Sequence, residues 1–372
     1  MKVELPLALK YRPKKLSQVI GQPAVVKAFT NAFKINSLHH AYILAGKTGC
    51  GKTTVARIVA AMENCKKDGK DPCGKCSNCK EIFEGKSYEV MELDAGSKGN
   101  VDDIRALHKS LYQAPVECKT KYVIIDEAHG LSGKAAEASL KMIEEPPPYV
   151  RFILSTTEPQ AFKDTILNRC IMWKFNKVGR HLLYDHVKMI SEKENLICDD
   201  KSLQMIARYS KGSVRNSLQN LQTIMNYVGD EEITMQSTTE ALGVIDDTLY
   251  FDFFDGVISK NTIKCFNVVN QMFKDGKEAK VILDGIYEHL NNLLVIRLCK
   301  NDLDSFDYTK EEIKRYLYQS SKMSDEGGDS NNILIMMNLL NTVSFGVEYS
   351  LNPAQLLNKF AIESIMIFRK KR

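Results

Sequence analysis

The 372-residue chain has little of what would place it in a membrane or outside the cell. Its apolar runs are short: Leu293–Ile296 is closed by Arg297, far below the roughly 20 residues that a spanning helix needs. The first residues, MKVELPLALKYRPKK, lack the charged-then-apolar layout of a secretory leader. No internal repeat and no low-complexity tract interrupts a composition of 44% hydrophobic and 26% charged residues, which is that of a globular protein. Nor does one charge dominate: 51 Lys+Arg against 46 Asp+Glu leave +5, compatible with a polyanionic partner without demanding one. These absences predict a cytoplasmic protein with no membrane partner. In that reducing compartment the ten cysteines are not expected to form disulfides, so clustered ones point to metal or catalysis.

What the chain does have is a change of texture along its length. It is too long for one ordinary core, which predicts two or three domains. Between residues 41 and 178, AYILAG (41–46), YEVMELD (88–94), YVIID (122–126), RFILSTT (151–157) and CIMWKF (170–175) read as buried strands separated by helical patterns. After the first, Val55, Ile58, Val59 and Met62 make a helical stripe. Strands alternating with helices predict an α/β fold with a parallel sheet covered on both faces. From 179 to 242 the patterns are helical only, with Leu218, Leu221, Met225 and Val228 at 3–4–3 spacing. A break at TEALGVIDDT (239–248) precedes further striped helices to residue 372, separated by the turn-rich SDEGGDS (324–330) and ending in a basic tail. The expected layout is 1–178, 179–242 and 243–372, the last with helices long enough to pack between subunits.

Gly46-Lys47-Thr48-Gly49-Cys50-Gly51-Lys52-Thr53 matches G-x-x-x-x-G-K-[ST] in full, with a strand before it and a helix after. Such a loop turns its backbone N–H groups around a β-phosphate, and the helix N-terminus adds partial positive charge. Lys52 is expected at the β/γ oxygens and the Thr53 hydroxyl on Mg²⁺. Tyr122-Val123-Ile124-Ile125-Asp126-Glu127 is an apolar strand ending in two acids. A metal site alone needs only Asp126; the neighbouring Glu127 is what polarising an attacking water asks for. Thr157, or failing it Thr156, is placed to orient that water, and Arg215, just after the expected helix cap Ser213, can reach the phosphates.

Cys65, Cys73, Cys76 and Cys79 give four thiolates at tight spacing, enough for a closed tetrahedral zinc site in a module spanning 65–79. A closed site leaves no open position for catalysis. A thioredoxin-like redox role needs a different βαβ context. A nucleic-acid knuckle needs aromatics, and although Lys66, Lys67, Lys70, Lys75 and Lys80 are there, no aromatic precedes Phe83. The reading favoured is a structural brace that pins a long excursion between the loop's helix and the next strand.

Taken together, the P-loop, the cysteine module inserted after its helix and the Asp-Glu strand resemble the gamma/tau ATPase subunit family of the bacterial DNA polymerase III clamp loader. The motifs carrying the resemblance are LALKYRPKKLSQVIGQ, HHAYILAG, LDAGSKGNVDDIR, EEPPPYVRFILSTTEP, ILNRC and GSVRNSL, over about residues 8–220. The related delta-prime subunit carries the zinc module without a working P-loop. The resemblance implies an AAA+ fold with a helical lid and a collar, in a form ending at the collar without a tau-type extension. It implies ATP, Mg²⁺ and Zn²⁺ as cofactors. Tyr11, Arg12, Val19 and Ile20 would pack around adenine, with Thr54 following the P-loop. Arg169, in Asn168-Arg169-Cys170, would be an arginine finger reaching the ATP of the next subunit, a role that raises phosphoryl transfer by roughly 10³–10⁵-fold where present. Lys98 and Arg105 would face duplex DNA.

The implied partners are delta and delta-prime subunits, further copies of this chain in a pentamer, a sliding clamp and primer–template DNA. Asn168, Asn216 and Ala136-Glu137 depart from the family's usual residues, and the last bears on coupling between DNA and the ATP site. The expectation is a motor: ATP binding opens the clamp and DNA triggers hydrolysis. Two other readings are a nucleotide-gated scaffold that binds nucleic acid through the zinc module and a different AAA+ remodeller. Glu127 and Arg169 speak against the scaffold, and the four-cysteine insertion against the remodeller.

Overall fold

Five strands, β1 (Ala41–Gly46), β2 (Val90–Asp94), β3 (Lys121–Asp126), β4 (Val150–Thr156) and β5 (Ile171–Phe175), make one sheet in the computed structural model. The structure describes residues 5–67, 69, 71–98, 101–299, 310–323, 331–347 and 352–367. All pairings are parallel and the order is β2-β3-β4-β1-β5. Each expected strand is present, with ends moved by no more than two residues. Ile43 of β1 lies between Leu154 of β4 and Met172 of β5. From β1 the chain crosses to the β2 edge, works back through β3 and β4, then passes over β1 to β5. The chain therefore leaves β1 toward one edge and later returns to its other side, which opens a crevice at the carboxyl ends of the strands.

Helices α1 (Leu7–Lys10), α2 (Pro23–Lys34), α3 (Lys52–Asn64), α4 (Ser77–Glu84), α5 (Ala95–Lys98), α6 (Val101–Leu111), α7 (Gly133–Glu144) and α8 (Asp164–Leu167) accompany the sheet. Successive strand residues point to opposite faces, so the core has two layers. Tyr42, Leu44, Ile124 and Ile153 bury one face against Val55, Ile58, Val59 and Met62 of α3 and Phe29 of α2. Ile43, Val123, Ile125 and Leu154 bury the other against Ile104 of α6 and Ile143 of α7. Each such side chain contributes about 1.5–3 kcal/mol when fully buried.

After the sheet come α9 (Arg180–Lys193), α10 (Asp200–Tyr209) and α11 (Val214–Val228). In α11 the stripe that is fully buried is Leu218, Leu221 and Ile224; Met225 and Val228 lie at its margin. The chain divides into two compact units, Met1–Ile233 and Thr234–Arg372, so these three helices share a unit with the sheet.

The second unit is all helical in its described residues: α12 (Met235–Leu242), α13 (Asp247–Ile258), α14 (Thr262–Lys274), α15 (Ala279–Leu298), α16 (Lys310–Met323), α17 (Asn331–Val347) and α18 (Pro353–Ile367). Its core combines Phe253, Phe254, Leu290, Leu293, Met336 and Phe360. Within it His289 shares a hydrogen bond with Gln319 at 2.8 Å, and Gln319 donates in turn to the Phe251 carbonyl at 2.8 Å and to Asp255 at 2.7 Å. The turn expected at 324–330 and the basic tail lie outside the described residues. Among those described, no helix is long and apolar enough to cross a membrane.

Candidate functional site: a phosphate loop and a four-cysteine module

The loop from Gly46 to Lys52 joins the carboxyl end of β1 to the start of α3. Two of its residues take left-handed backbone, Gly49 at φ 79° and Gly51 at φ 104°, which glycine adopts at no steric cost. At Gly49 a Cβ would also collide with the Ser213 hydroxyl, so the loop and the first turn of α11 meet there directly. Ser213 caps α11 as the sequence suggested, accepting from Asn216 N at 3.2 Å. The next two amides of α11, Val214 N and Arg215 N, donate to the Gly49 carbonyl at 3.0 and 3.4 Å. Helix termini leave such donors unpaired, and here the phosphate loop receives them.

Lys52 is 4% exposed, and its ammonium donates to the Gly46 and Lys47 carbonyls at 2.7 and 3.2 Å. The Thr53 hydroxyl donates to Asp126 Oδ2 at 2.8 Å, tying α3 to the end of β3. These two side chains can hold a divalent cation between them and a phosphate. Glu127 follows in left-handed backbone at φ 46°, unusual for a residue with a side chain. Its carboxylate accepts from the Thr157 hydroxyl at 3.3 Å and lies 3.5 Å from His129 Nδ1. His129 is within 3.2 Å of Thr156, so both threonines at the end of β4 support the two acids' neighbourhood.

A cavity of about 710 Å³ opens beside the loop. Of the residues singled out from sequence, Tyr11, Arg12, Val19, Ile20, the run 48–54, Asp126, Glu127 and Arg215 line it. Gly46, Lys47 and Thr157 are not among the lining residues, and Thr157 is joined to the lining through its hydrogen bond to Glu127. Arg12 donates from Nε to Thr54 Oγ1 at 3.1 Å, which puts it at the loop rather than remote from it. Burial, then the neighbouring Arg57, push its guanidinium down to about 10. Tyr11 donates to Glu194, the residue that ends α9, beside Lys10 at 2.7 Å from the same carboxylate.

Among the lining residues not singled out in the sequence are Leu7, His186 and Gln222. Leu7 N donates to Gln222 Oε1 at 3.1 Å across 215 residues of chain. No local pattern marks such a pair. His186 alone carried a signal, as a histidine within an apolar helical stripe.

Arg169 stands apart from this cavity, between α8 and β5. Arg105 is exposed with Asp102 at 3.5 Å, and Glu137 with Lys163 at 3.4 Å. Lys98 ends α5, with its side chain outside those described.

At the far end of α3 the sulfurs of Cys65, Cys73, Cys76 and Cys79 all lie within 4.8 Å of one another. Cys73 and Cys79 are 4.0 Å apart, close to the ~3.8 Å edge of a tetrahedron with 2.3 Å zinc–sulfur bonds. Backbone amides of Lys67 and Cys73 point at the Cys65 sulfur (3.4 and 3.3 Å), and those of Lys75 and Cys76 at the Cys73 sulfur (3.5 and 3.4 Å). Those of Lys75 and then Cys76 bring the Cys73 thiol down to about 6. The donor set and its amide support fit a thiolate-bound metal ion such as zinc.

The module is anchored by two buried amides. Asn64 accepts from Lys119 N and Thr120 N and donates to the Thr120 carbonyl, each at 2.9 Å. Asn78 donates to the Asn64 and Glu117 carbonyls, both at 3.0 Å. The cysteines are thereby fixed to the entry of β3.

A parallel sheet in this order, a glycine-rich loop opening a helix, and an aspartate–glutamate pair at the end of β3, one strand removed from β1, define a P-loop fold of the AAA+ kind. Two family models match, described as DNA polymerase III, delta subunit (residues 21–179) and DNA polymerase III subunits gamma and tau domain III (residues 233–327). The chain is 32% identical over 338 residues to the DNA polymerase III subunit gamma of Buchnera aphidicola, covering 90% of this chain and 91% of that one. It is 32% identical over 314 residues to the subunit tau of Escherichia coli, covering 83% of this chain and 49% of that longer one. The chain belongs to the gamma/tau family of DNA polymerase III subunits. Among solved structures, the RuvB branch migration motor of Thermotoga maritima is similar at TM-score 0.48 and 21% identity, over 68% of this chain and 80% of that one.

Proposed function

We propose that this chain is an ATP-hydrolysing subunit of a DNA polymerase III clamp loader. The observation that carries the reading is the Thr53–Asp126 hydrogen bond of 2.8 Å with Glu127 beside it, its carboxylate held by Thr157 at 3.3 Å. Binding alone would need the first pair; the second is what in-line attack by water requires. In this reading the loop amides and Lys52 hold the β- and γ-phosphates, and Arg215 approaches from α11. A magnesium ion held by Thr53 and Asp126 would supply charge on the phosphate oxygens. Glu127 takes the proton of the attacking water, and Thr157 keeps the carboxylate turned toward it.

Arg169 has no role at its own cavity, and we assign it to the nucleotide of an adjoining subunit. The first unit is read as a sheet domain to residue 178 with α9–α11 as a lid, and the helices after 242 as the collar that joins subunits. The implied partners are other clamp-loader subunits, further copies of this chain, a sliding clamp and primer–template DNA, with Lys98 and Arg105 toward the duplex. Zinc at the four cysteines is a brace, a reading supported by the Asn64 and Asn78 amides that tie the module to β3. The test is the ATPase rate of the assembled subunits with and without clamp and primer–template DNA. Stimulation by both is expected; a rate indifferent to DNA, clamp and the Arg169→Ala change would overturn the motor reading.

A further inference from the structure

His186 lines the 710 Å³ cavity from α9, a different element from the phosphate loop that carries Lys52. One turn earlier on the helix, Leu183 packs in the cluster that includes Ile20, another residue of the cavity lining. Its Nδ1 is sealed from solvent and has no hydrogen-bond partner; among the described residues none reaches Nε2 either, and Nε2 is not sealed. A buried N–H without an acceptor is more costly to leave than a buried lone pair. The tautomer assigned on that ground is the neutral ring with its hydrogen on Nε2. Burial, and secondarily Lys193, push the imidazole below its ordinary range, which also favours the neutral form. The cavity therefore meets, from α9, an N–H donor that is no part of the phosphate loop.

We propose that His186 reads the nucleobase, its Nε2–H donating to a ring nitrogen of the purine. The inference rests on the nucleotide reading of the cavity and adds a specificity-determining residue to it. Adenine N1, N3 and N7 are each acceptors in the base plane, and the apolar side chains of Leu7, Ile20 and Leu218 suit the faces of the base. One such bond is worth about 0.5–1.5 kcal/mol net, or about three- to tenfold in affinity.

The experiment measures binding of ATP and of its 1-deaza, 3-deaza and 7-deaza analogues to the full chain, in the wild type, His186→Phe and His186→Gln. Wild type is expected to bind one of the three analogues about three- to tenfold more weakly than ATP. In His186→Phe, ATP itself is expected to weaken by that factor and the analogue's deficit to vanish, with His186→Gln restoring part of both. A ring that only fills space would lower all four ligands alike and leave the deficit in place, which would overturn the proposal. The wild-type series needs no variant to fold: three analogues that all bind like ATP also overturn it. Absence of any ATP binding by the wild type would instead reject the nucleotide reading on which it stands.

Discussion

The Arg169 guanidinium rests on Glu144 of the same chain, Nη2 3.1 Å from the carboxylate, while Nη1 donates to the Thr165 carbonyl at 3.0 Å. Both side chains are more than a third exposed, 41% and 37%, so solvent screens the pair and its worth is about 0–1 kcal/mol. A triphosphate from an adjoining subunit carries more charge than one carboxylate and can take the arginine over. Arg169→Ala is expected to leave nucleotide affinity of the lone subunit unchanged and to cut turnover of the assembly by about 10³-fold or more. Glu144→Ala should cost less than ~1 kcal/mol of stability and leave turnover intact. Steady-state ATPase of lone and assembled protein decides it; an Arg169→Ala assembly as fast as wild type removes the role in trans.

Glu127 differs from Asp126 in what its loss should do. Glu127→Gln keeps the shape and the Thr157 contact but cannot accept a proton. Nucleotide binding should survive within about twofold while single-turnover hydrolysis falls by about 10²–10⁴-fold. Thr157→Val removes one hydrogen bond to a charged group and should slow the same step by about tenfold. Equal losses of binding in both variants would argue that these residues hold ligand rather than act on water.

Gly49→Ala addresses the contact between loop and α11. A methyl group there must tolerate φ 79°, at roughly 1–2 kcal/mol. It must also displace Ser213 from its cap, roughly 0.5–2 kcal/mol more. Together these predict a loss of about 1.5–4 kcal/mol in denaturant unfolding and weaker nucleotide binding. An unchanged midpoint would show that α11 does not stay seated on the loop in solution.

Removing metal, or changing Cys73 and Cys76 to serine, should lower the melting temperature and abolish zinc content while DNA and nucleotide affinities stay within about twofold. Asn64→Ala tests the same brace from the protein side. It strands one buried amide donor and one buried carbonyl, at about 1–3 kcal/mol each before relaxation, together with a part-buried amide, and should bring the melting temperature down by several degrees. A folded variant that loses only DNA affinity would reassign the module to nucleic-acid contact.

Much of the first unit was legible because its signals are local. A strand buried on both faces reads as an apolar run, and a phosphate loop needs glycines at fixed offsets from a lysine and a threonine. The capping serine at 213 follows from one helix's own start. What escaped is what the chain brings together from far apart. Leu7 meets Gln222, Tyr11 meets Glu194, and Val214 meets Gly49, none with any spacing rule to announce it. The stripe in α11 shifted from Met225 to Ile224 for a related reason: which side of a helix is buried is decided by neighbours from other segments. Arg12, expected near the base, lines the cavity, and its bond to Thr54 across 42 residues of chain is a further pairing that no spacing rule announces.

Helix α3 has the phosphate loop at one end and the cysteines at the other, 13 residues apart, or about 20 Å. Cobalt(II) seated in those four thiolates would absorb visible light, and its colour would report whether the sheet domain is intact without touching the catalytic end. Titrating nucleotide against that colour would then separate a damaged fold from a damaged site in any variant, within one cuvette.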